Sequence, residues 1–301
     1  WHDESQLNRY MITNHNKFKF LTPDYCYPEN YYQNIPGNAK ILALDKDHHT
    51  VRNINNKKII LVNAVGGLGN LLFQFFYAYS IALRYNLEVV VNIDQNDESR
   101  ESIYFYYLFD NIMRVKNIKD FYIIKESSKN YSNLINNIPL NKNIFLTGYF
   151  QSTLYFKDNF NRIKKNFNCS ILNIAKNIFN KWNNNKNIIG LHIRGGDYIQ
   201  KKNYHLLLNQ DYYDKCLSYC DLNDTEIVLF TDDYKYAKNK YNYNIYIKDI
   251  INKYIEPEYE YMKNHPELEF FLLSLCNIII CANSTFSLWA SYFSNANKVF
   301  I

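Results

Sequence analysis

The sequence predicts an α/β protein with two lobes, each built on a parallel β-sheet, after a largely irregular N-terminal segment. Short apolar runs such as Ile59–Val62 and the run that starts at Ile188 have the composition of buried parallel strands. The first run is followed by a glycine turn, an aromatic-rich amphipathic pattern and a second apolar run at Glu88–Asn92, which together form a βαβ unit. The chain has 301 residues and 47% hydrophobic residues, enough for two cores.

The composition of the chain favours some classes of binding partner over others. The formal net charge of +5 is spread along the chain, which suits a small anionic ligand and gives no concentrated basic block for nucleic acid. The six cysteines form no CxxC pair and are typical of buried free thiols in a reducing compartment: Cys26, Cys169, Cys216, Cys220, Cys276 and Cys281. The fragment shows no targeting segment or long apolar span, so we leave localisation open between cytoplasmic and membrane-associated.

The chain divides into three segments. Residues 1–56 are polar, rich in Tyr, Pro and His, and lack periodicity, so alone they would not bury a core. After a polar joint, residues 59–187 form the first predicted lobe. Residues 188–301 form the second, and Asn183–Asn187 is the predicted hinge. Because the sequence starts at Trp1 and stops inside an apolar run at Ile301, we expect further sequence on both sides.

Further elements follow from periodicity and apolar runs. In the first lobe they are a strand at Ile144–Thr147 and helices at Tyr155–Phe167 and Ile171–Trp182. In the second lobe they are helices at Asp211–Cys220 and Leu268–Cys276, and strands at Ile227–Phe230, at Ile278–Cys281 and from Lys298.

Three buried strands of the second lobe each end in polar residues. These tips are His192–Asp197, Thr231–Asp233 and Asn283–Ser287. The carboxyl ends of strands in an open α/β sheet are where ligands bind, so we expect the three tips to meet at one site.

Each tip has two interpretations. Arg194 offers a charged planar fork for a phosphate, or it forms a salt bridge with Asp197 beside a core histidine. Asp232 and Asp233 favour helix capping and nucleotide hydrogen bonding over a metal site. Asn283–Ser287 suits phosphate binding at a helix start, or ordinary N-capping. The turn Gly66–Asn70 in the first lobe is likewise either an anion site or a packing feature, and it matches neither the Walker nor the dinucleotide motif.

Five motifs occur together in a distinctive order. They are Gly66-Gly67-Leu68-Gly69-Asn70 with Phe73-Gln74, then Gly148-Tyr149-Phe150-Gln151-Ser152, His192-Ile193-Arg194-Gly195-Gly196-Asp197-Tyr198, Phe230-Thr231-Asp232-Asp233 and Ala282-Asn283-Ser284-Thr285-Phe286-Ser287. From Ile59 to the end the chain resembles the α-1,2-fucosyltransferases of glycosyltransferase family 11. The resemblance implies a GT-B-like fold of two Rossmann-like lobes, with residues 59–187 as the acceptor-side lobe and residues 188–301 as the lobe that binds the donor nucleotide sugar. It also implies inverting transfer of L-fucose from GDP-fucose to the 2-hydroxyl of a β-galactoside, with no obligatory metal or other cofactor.

The resemblance also implies roles for individual residues. Arg194 would hold the GDP diphosphate, with His192 and Asp197 shaping that loop or touching the ligand. The donor-binding set would comprise Gly66, Gly67, Gly69, Asn70 and Gln74 together with Thr231, Asp232, Asp233, Asn283, Ser284, Thr285 and Ser287. The family usually has a second arginine where Gly195 stands.

The N-terminal segment carries a second resemblance. Trp1-His2-Asp3-Glu4-Ser5-Gln6-Leu7-Asn8-Arg9-Tyr10 is similar to the end of the histo-blood-group A/B and α-1,3-galactosyltransferase family, glycosyltransferase family 6. This implies that residues 1–56 are the tail of an upstream transferase domain on the same polypeptide. In that family Glu4 would lie at the reaction centre, with His2 and Asp3 contacting substrates and Lys46 and Arg52 contacting the UDP diphosphate.

Two other functions fit the sequence. The chain could transfer a different nucleotide-activated sugar, or it could be a non-catalytic glycan-binding module.

Overall fold

Two structural units make up the described part of the chain. In the computed structural model this part comprises residues 58–91, 108, 113–114, 121–127, 131–132, 138–139, 141–165, 167, 170–200 and 206–301. The division between the units lies between Ser170 and Ile171. The predicted N-terminal segment lies outside these residues.

The first unit contains a parallel sheet of five strands among its described residues, in the order β3-β2-β1-β5-β4. Its elements are β1 (Ile59–Val62), α1 (Leu68–Tyr85), β2 (Glu88–Val91), β3 (Met113–Arg114), β4 (Phe121–Lys125), β5 (Asn143–Thr147), the 3₁₀ helices Thr153–Tyr155 and Lys157–Asn159, and α2 (Phe160–Lys164).

Helix α1 forms much of the core of this unit. It is apolar around most of its circumference, and thirteen of its eighteen residues are buried, as expected for a helix enclosed by a sheet and its neighbours. It ends at Asn86, which takes a left-handed conformation (φ 54°) and donates its backbone N–H to the Ala82 carbonyl. Asparagine tolerates this conformation better than most residues, so it ends the helix at low cost.

The continuous helix predicted at Tyr155–Phe167 is wrong. The chain forms two 3₁₀ turns and the short helix α2 instead, because Phe156 leaves helical geometry (φ −143°, ψ 2°). At the bend, the Asn159 amide donates to the Ser80 hydroxyl of α1 at 2.9 Å. The apolar spacing correctly identified the buried side, since the Phe156 and Phe160 rings both lie against Phe76 at centroid distances of 5.3 Å.

The second unit contains a parallel sheet of four strands among its described residues, in the order β7-β6-β8-β9. Its elements are α3 (Ser170–Trp182), β6 (Asn187–Ile193), α4 (Gly196–Gln200), α5 (Gln210–Leu217), β7 (Thr225–Thr231), α6 (Tyr234–Lys240), α7 (Ile247–Tyr254), the 3₁₀ helix Pro257–Met262, α8 (Pro266–Leu275), β8 (Ile278–Ile280), α9 (Thr285–Phe293) and β9 (Lys298–Phe300). The strands predicted in this lobe are all present.

The Asn183–Asn187 stretch lies inside the second unit. Asn184 and Asn185 both have positive φ, and the Asn183 side chain accepts the backbone N–H of Asn185 at 3.3 Å. On the α3 side, the Trp182 indole donates to Glu226 of β7 at 2.7 Å. The stretch is therefore a tight turn between α3 and β6.

Four of the six cysteines lie in the described part, and all four are free thiols. Cys216, Cys276 and Cys281 are buried and Cys220 is half-buried. Burial raises the pKa of Cys281 to about 12, so this thiol stays protonated and inert at neutral pH. Of the helices described, none is both long and apolar enough to span a membrane.

Candidate active site

Three polar tips lie at one edge of the sheet in the second unit. The register places Ile193 of β6 beside Thr231 of β7, and Leu191 beside Ile280 of β8. The chain leaves each strand at that edge, which is where an open α/β sheet binds its ligand. The predicted convergence of the three tips is therefore present in the structure.

Arg194 binds two carboxylates at this edge. One guanidinium nitrogen lies 2.6 Å from Oδ1 of Asp197, and the other contacts Oδ2 of Asp232. The second oxygen of Asp232 accepts the backbone N–H of Gly195 at 2.8 Å. The salt bridge to Asp197 was one of the two interpretations of the sequence, and Asp232 extends it to the neighbouring strand.

Tyr198 connects Arg194 to the third tip. Its ring centre lies 5.1 Å from Cζ of Arg194, within cation–π range. Its hydroxyl donates to the backbone carbonyl of Asn283 at 3.0 Å. Sequence reasoning gave Tyr198 no role.

The second tip is arranged as a helix cap. Asp233 accepts the backbone N–H of Tyr236 at 2.9 Å and so begins α6. The Thr231 hydroxyl accepts the backbone N–H of Asp233 at 3.1 Å. The two aspartates thus have different partners, one the helix and one Arg194. Across the described ranges, no three His, Cys, Asp or Glu side chains group closely enough to hold a metal ion.

The third tip is also internally bonded. Ser284 caps α9 by accepting the backbone N–H of Phe286 at 3.3 Å, and the Asn283 amide donates to the Leu206 carbonyl at 2.7 Å. Ser287 is fully buried, and its hydroxyl donates to the Ala282 and Ser284 carbonyls. Thr285 is the first residue of α9. This tip matches the N-capping interpretation, and its phosphate contacts remain a prediction.

His192 lies beneath the arginine loop and is only 3% exposed. Its ring packs on Phe286 at a centroid distance of 5.3 Å. Burial, aided by the positive charge of Arg194, lowers the pKa of His192 to about 3. The imidazole is therefore neutral near pH 7 and is a weak base there, which fits a role in shaping the loop better than a role in proton transfer.

Glu269 is an acidic neighbour of this network that sequence reasoning missed. It stands in the first turn of α8 between Leu268 and Phe270, both fully buried. Burial raises its pKa to about 7, the nearby Asp232 charge adds to the rise and Lys248 opposes it. Its position directly before the apolar run Phe270–Leu273 was the signal.

The predicted residues of the first unit lie in and around a glycine turn whose backbone is held by the buried Gln74 side chain. Gln74 is fully buried, and its amide bonds both backbone polar groups of Val65, donating to the carbonyl at 2.7 Å and accepting the N–H at 3.2 Å. Gly66 has φ +90°, which a side chain would make unfavourable. Gly67 caps α1, Gly69 is buried in its first turn, and Asn70 accepts the Gln151 amide at 2.8 Å.

Five predicted residues are outside the described part of the chain: His2, Asp3, Glu4, Lys46 and Arg52. Their roles remain predictions.

Comparison with known proteins identifies relatives in sequence and in fold. The model of glycosyl transferase family 11 matches residues 87–301. The O-antigen biosynthesis glycosyltransferase WbnK of Escherichia coli is 28% identical over 280 residues, covering 75% of this chain and 87% of WbnK. An α-1,2-colitosyltransferase of Escherichia coli is 23% identical over 265 residues, covering 79% of this chain and 88% of that enzyme.

Two solved structures share the fold. A mutant of Arabidopsis thaliana FUT1 in complex with GDP has a TM-score of 0.50 and 12% identity, covering 85% of this chain and 72% of that one. POFUT1 in complex with GDP has a TM-score of 0.50 and 13% identity, covering 81% and 98%. These matches agree with the predicted GT-B-like α/β class. Because the family model covers most of the sequence, this chain belongs to glycosyl transferase family 11 and is a glycosyltransferase.

Proposed function

We propose that the chain transfers L-fucose from GDP-fucose to the 2-hydroxyl of a β-galactoside, with inversion and without an obligatory metal. Membership of family 11 supports glycosyl transfer. The name of one curated relative, an α-1,2-colitosyltransferase, supports the α-1,2 linkage. The motif set from Gly66 to Ser287 supports fucose and GDP by its resemblance to α-1,2-fucosyltransferases.

The observation that carries this proposal is Arg194 at the meeting point of three strand ends. Transfer forms a bond between the acceptor oxygen and C1 of fucose, breaks the bond from C1 to the β-phosphate oxygen, and releases the hydroxyl proton to a base. The leaving GDP gains negative charge as its bond breaks. A guanidinium held ready beside it stabilises that charge in the transition state.

Donor binding requires Arg194 to exchange partners. Its two carboxylate contacts hold the guanidinium in place before the donor arrives. A diphosphate would replace one or both of them, and Tyr198 would keep the guanidinium plane oriented during the exchange. Asp197, Asp232 and the Asn283–Ser287 turn would then border the nucleotide.

A transfer assay with linkage analysis tests the proposal. Labelled GDP-fucose and methyl β-galactoside should give a product whose NMR spectrum shows an α-1,2 bond. Arg194→Lys keeps the charge but loses the planar fork, so we expect kcat/KM to fall roughly 100-fold, the size of loss seen when one transition-state donor is removed. Lys186→Ala is the matched control, since Lys186 pairs with Glu226 at 3.1 Å away from the three tips.

The outcomes separate the alternatives. Fucose on another hydroxyl contradicts the linkage. A glycan-binding module would show no transfer with any donor, and its glycan affinity would be unchanged by Arg194→Ala.

A second candidate is transfer of a different nucleotide-activated sugar. Two observations favour it: the colitosyltransferase relative, and Gly195 in place of the arginine usual among α-1,2-fucosyltransferases. Calorimetric titration with GDP, UDP and further nucleoside diphosphates measures the base preference directly. Preference for a nucleotide other than GDP would replace the first proposal with this one.

We also propose, from the resemblance of residues 1–56, that an upstream α-1,3-transferase domain acts on the fucosylated product. The full-length polypeptide, given GDP-fucose and then UDP-galactose or UDP-N-acetylgalactosamine, should show a second transfer that depends on the first. If galactose or N-acetylgalactosamine is transferred equally well to the acceptor without fucose, this coupling is contradicted.

A further inference from the structure

The loop after β5 has an unfavourable backbone. Gly148 has φ +147°, and Phe150 has φ +52° although it is a bulky residue and fully buried. A left-handed conformation at such a residue persists only where its surroundings impose it, and such positions cluster at functional sites.

Contacts on both sides impose this loop conformation. The Phe150 ring packs against both Tyr77 and Tyr155, at centroid distances of 4.8 and 5.5 Å. Glu126, at the end of β4, accepts the backbone N–H of Tyr149 at 2.8 Å. A Cβ at position 148 would lie 2.5 Å from Cβ of Glu126, so only glycine fits there.

The result is an outward-facing aromatic ring beside polar side chains. Tyr149 is 45% exposed. Two residues further along the chain, the exposed Gln151 donates to Asn70 at 2.8 Å. The pairing of Val62 with Leu146, and of Lys125 with Thr147, places the glycine turn, this loop and Glu126 at the same carboxyl edge of the sheet.

The chemistry of this cluster differs from that of the arginine site. Its polar side chains, those of Glu126, Gln151 and Asn70, are anionic or neutral. The resemblance assigns Asn70 to the donor-binding set, but its bond to Gln151 ties it to this loop as well. The cluster offers hydrogen bonds to the hydroxyls of a neutral sugar, whereas, unlike the arginine site, it contributes no cation to offset the charge of a diphosphate. An exposed tyrosine provides an apolar face for sugar C–H groups and a polar tip for a hydroxyl.

We propose that Tyr149 and Gln151 form the subsite for the acceptor sugar, with the Tyr149 ring against the galactose face and the Gln151 amide on its hydroxyls. The identity of the sugar rests on the function proposed above. The subsite itself rests on the loop, its exposed ring and its charge.

The test compares acceptor and donor kinetics in Tyr149→Ala. We expect the KM for methyl β-galactoside to rise about tenfold, a moderate loss for a truncated aromatic contact. The KM for GDP-fucose should stay within about twofold, because the ring is expected to touch only the acceptor. Tyr149→Trp should retain the wild-type acceptor KM within about threefold, since it keeps an aromatic face.

Leu154→Ala is the matched control. Leu154 is 43% exposed in the 3₁₀ helix that follows the loop, so it reports general effects of trimming this surface. An unchanged acceptor KM in Tyr149→Ala, or an equal rise in Leu154→Ala, overturns the subsite.

A second readout separates this proposal from the proposed function. Saturation-transfer NMR with methyl β-galactoside needs no catalysis. If the wild-type protein transfers no fucose, the proposed function fails. The subsite is still supported if the glycan signals are lost in Tyr149→Ala and kept in Leu154→Ala. Absence of wild-type glycan signals, or signals equal in both variants, rejects it.

Discussion

Gly195 shows at the scale of one residue how this chain differs from the family it resembles. A Cβ at position 195 would lie 2.9 Å from Cβ of Asp233 and 2.9 Å from Cδ1 of Tyr236. The start of α6 therefore occupies the space into which a side chain at position 195 would extend. The arginine that the resemblance leads us to expect at this position would therefore require α6 to lie farther from the loop.

We predict that Gly195→Ala lowers the free energy of unfolding by roughly 1–3 kcal/mol, because the methyl group overpacks against Asp233 in a cap that cannot relax freely. Urea denaturation followed by circular dichroism measures it. Gly67→Ala is the comparison, since no atom lies within 4 Å of its Cβ position. A penalty as small as that of Gly67→Ala would show that α6 shifts to make room.

Single residues also show which parts of the site could be predicted from the sequence and which could not. The three strand ends were predicted from apolar runs followed by polar residues, and they do meet. The partners of Arg194 were only half predicted, because Asp232 reaches it from a strand far along the chain. Tyr198 was missed because its two contacts, to a guanidinium and to a backbone carbonyl, have no periodic signature.

Among the elements, β6 and α8 pack closely at Gly190. Gly190 lies in the middle of β6, and a Cβ there would be 2.6 Å from Cδ1 of Leu273 and 2.8 Å from Sγ of Cys276. All three residues are buried, so the helix approaches the strand at the one position without a side chain.

We predict that Gly190→Ala costs about 2 kcal/mol of unfolding free energy, because a packed core has no space for the added carbon. In a Cys276→Ala background the same substitution should cost measurably less, since Sγ is gone. A double-mutant cycle by denaturant unfolding gives the coupling. Additive penalties would mean that Leu273 alone, or the helix backbone, absorbs the change.

Elements were predicted well where a buried strand gave a continuous apolar run, as for β1, β6 and β8. They were predicted poorly where tertiary bonds compete with local periodicity. The stretch from Tyr155 to Phe167 has a helical apolar pattern, but the Asn159 bond to Ser80 accompanies a bend that periodicity does not encode. Strands β3 and β4 and helix α7 went unpredicted. Strand β3 has only two residues, and α7 mixes apolar with charged residues. The apolar run at the start of β4 was an available signal that was overlooked.

For the whole molecule, buried ionisable groups make stability depend on pH. Glu267 is fully buried, its carboxylate oxygens have no hydrogen-bond partner in the described structure, and His265 lies 3.8 Å away. Burial raises the pKa of Glu267 to about 7 and lowers that of His265. Both shifts favour the uncharged forms.

The sign for Glu267 follows from proton binding. Between its ordinary pKa and about 7, the folded state holds a proton that the unfolded state has lost, so stability falls as pH rises through this window. We predict that Glu267→Gln stabilises the protein by on the order of 2 kcal/mol at pH 8 and has little effect at pH 4.5. Denaturant unfolding at the two pH values checks it.

Glu258→Gln, at an exposed position, serves as the control. An equal gain at both pH values would assign the effect to packing. His192 acts oppositely: its lowered pKa means that stability is lost as pH falls below its ordinary value and continues to fall toward about 3.

The ion triad of Arg194, Asp197 and Asp232 affects which ligands can bind at this site. With one cation between two anions, the triad carries an excess of negative charge, so we expect chloride or inorganic phosphate to bind it weakly. We expect tight binding only of a ligand that presents several acceptor oxygens to Arg194 and gains further contacts through a base and a sugar. Asp197 and Asp232 would thus contribute to ligand selectivity, because any ligand must compete with them for the Arg194 guanidinium.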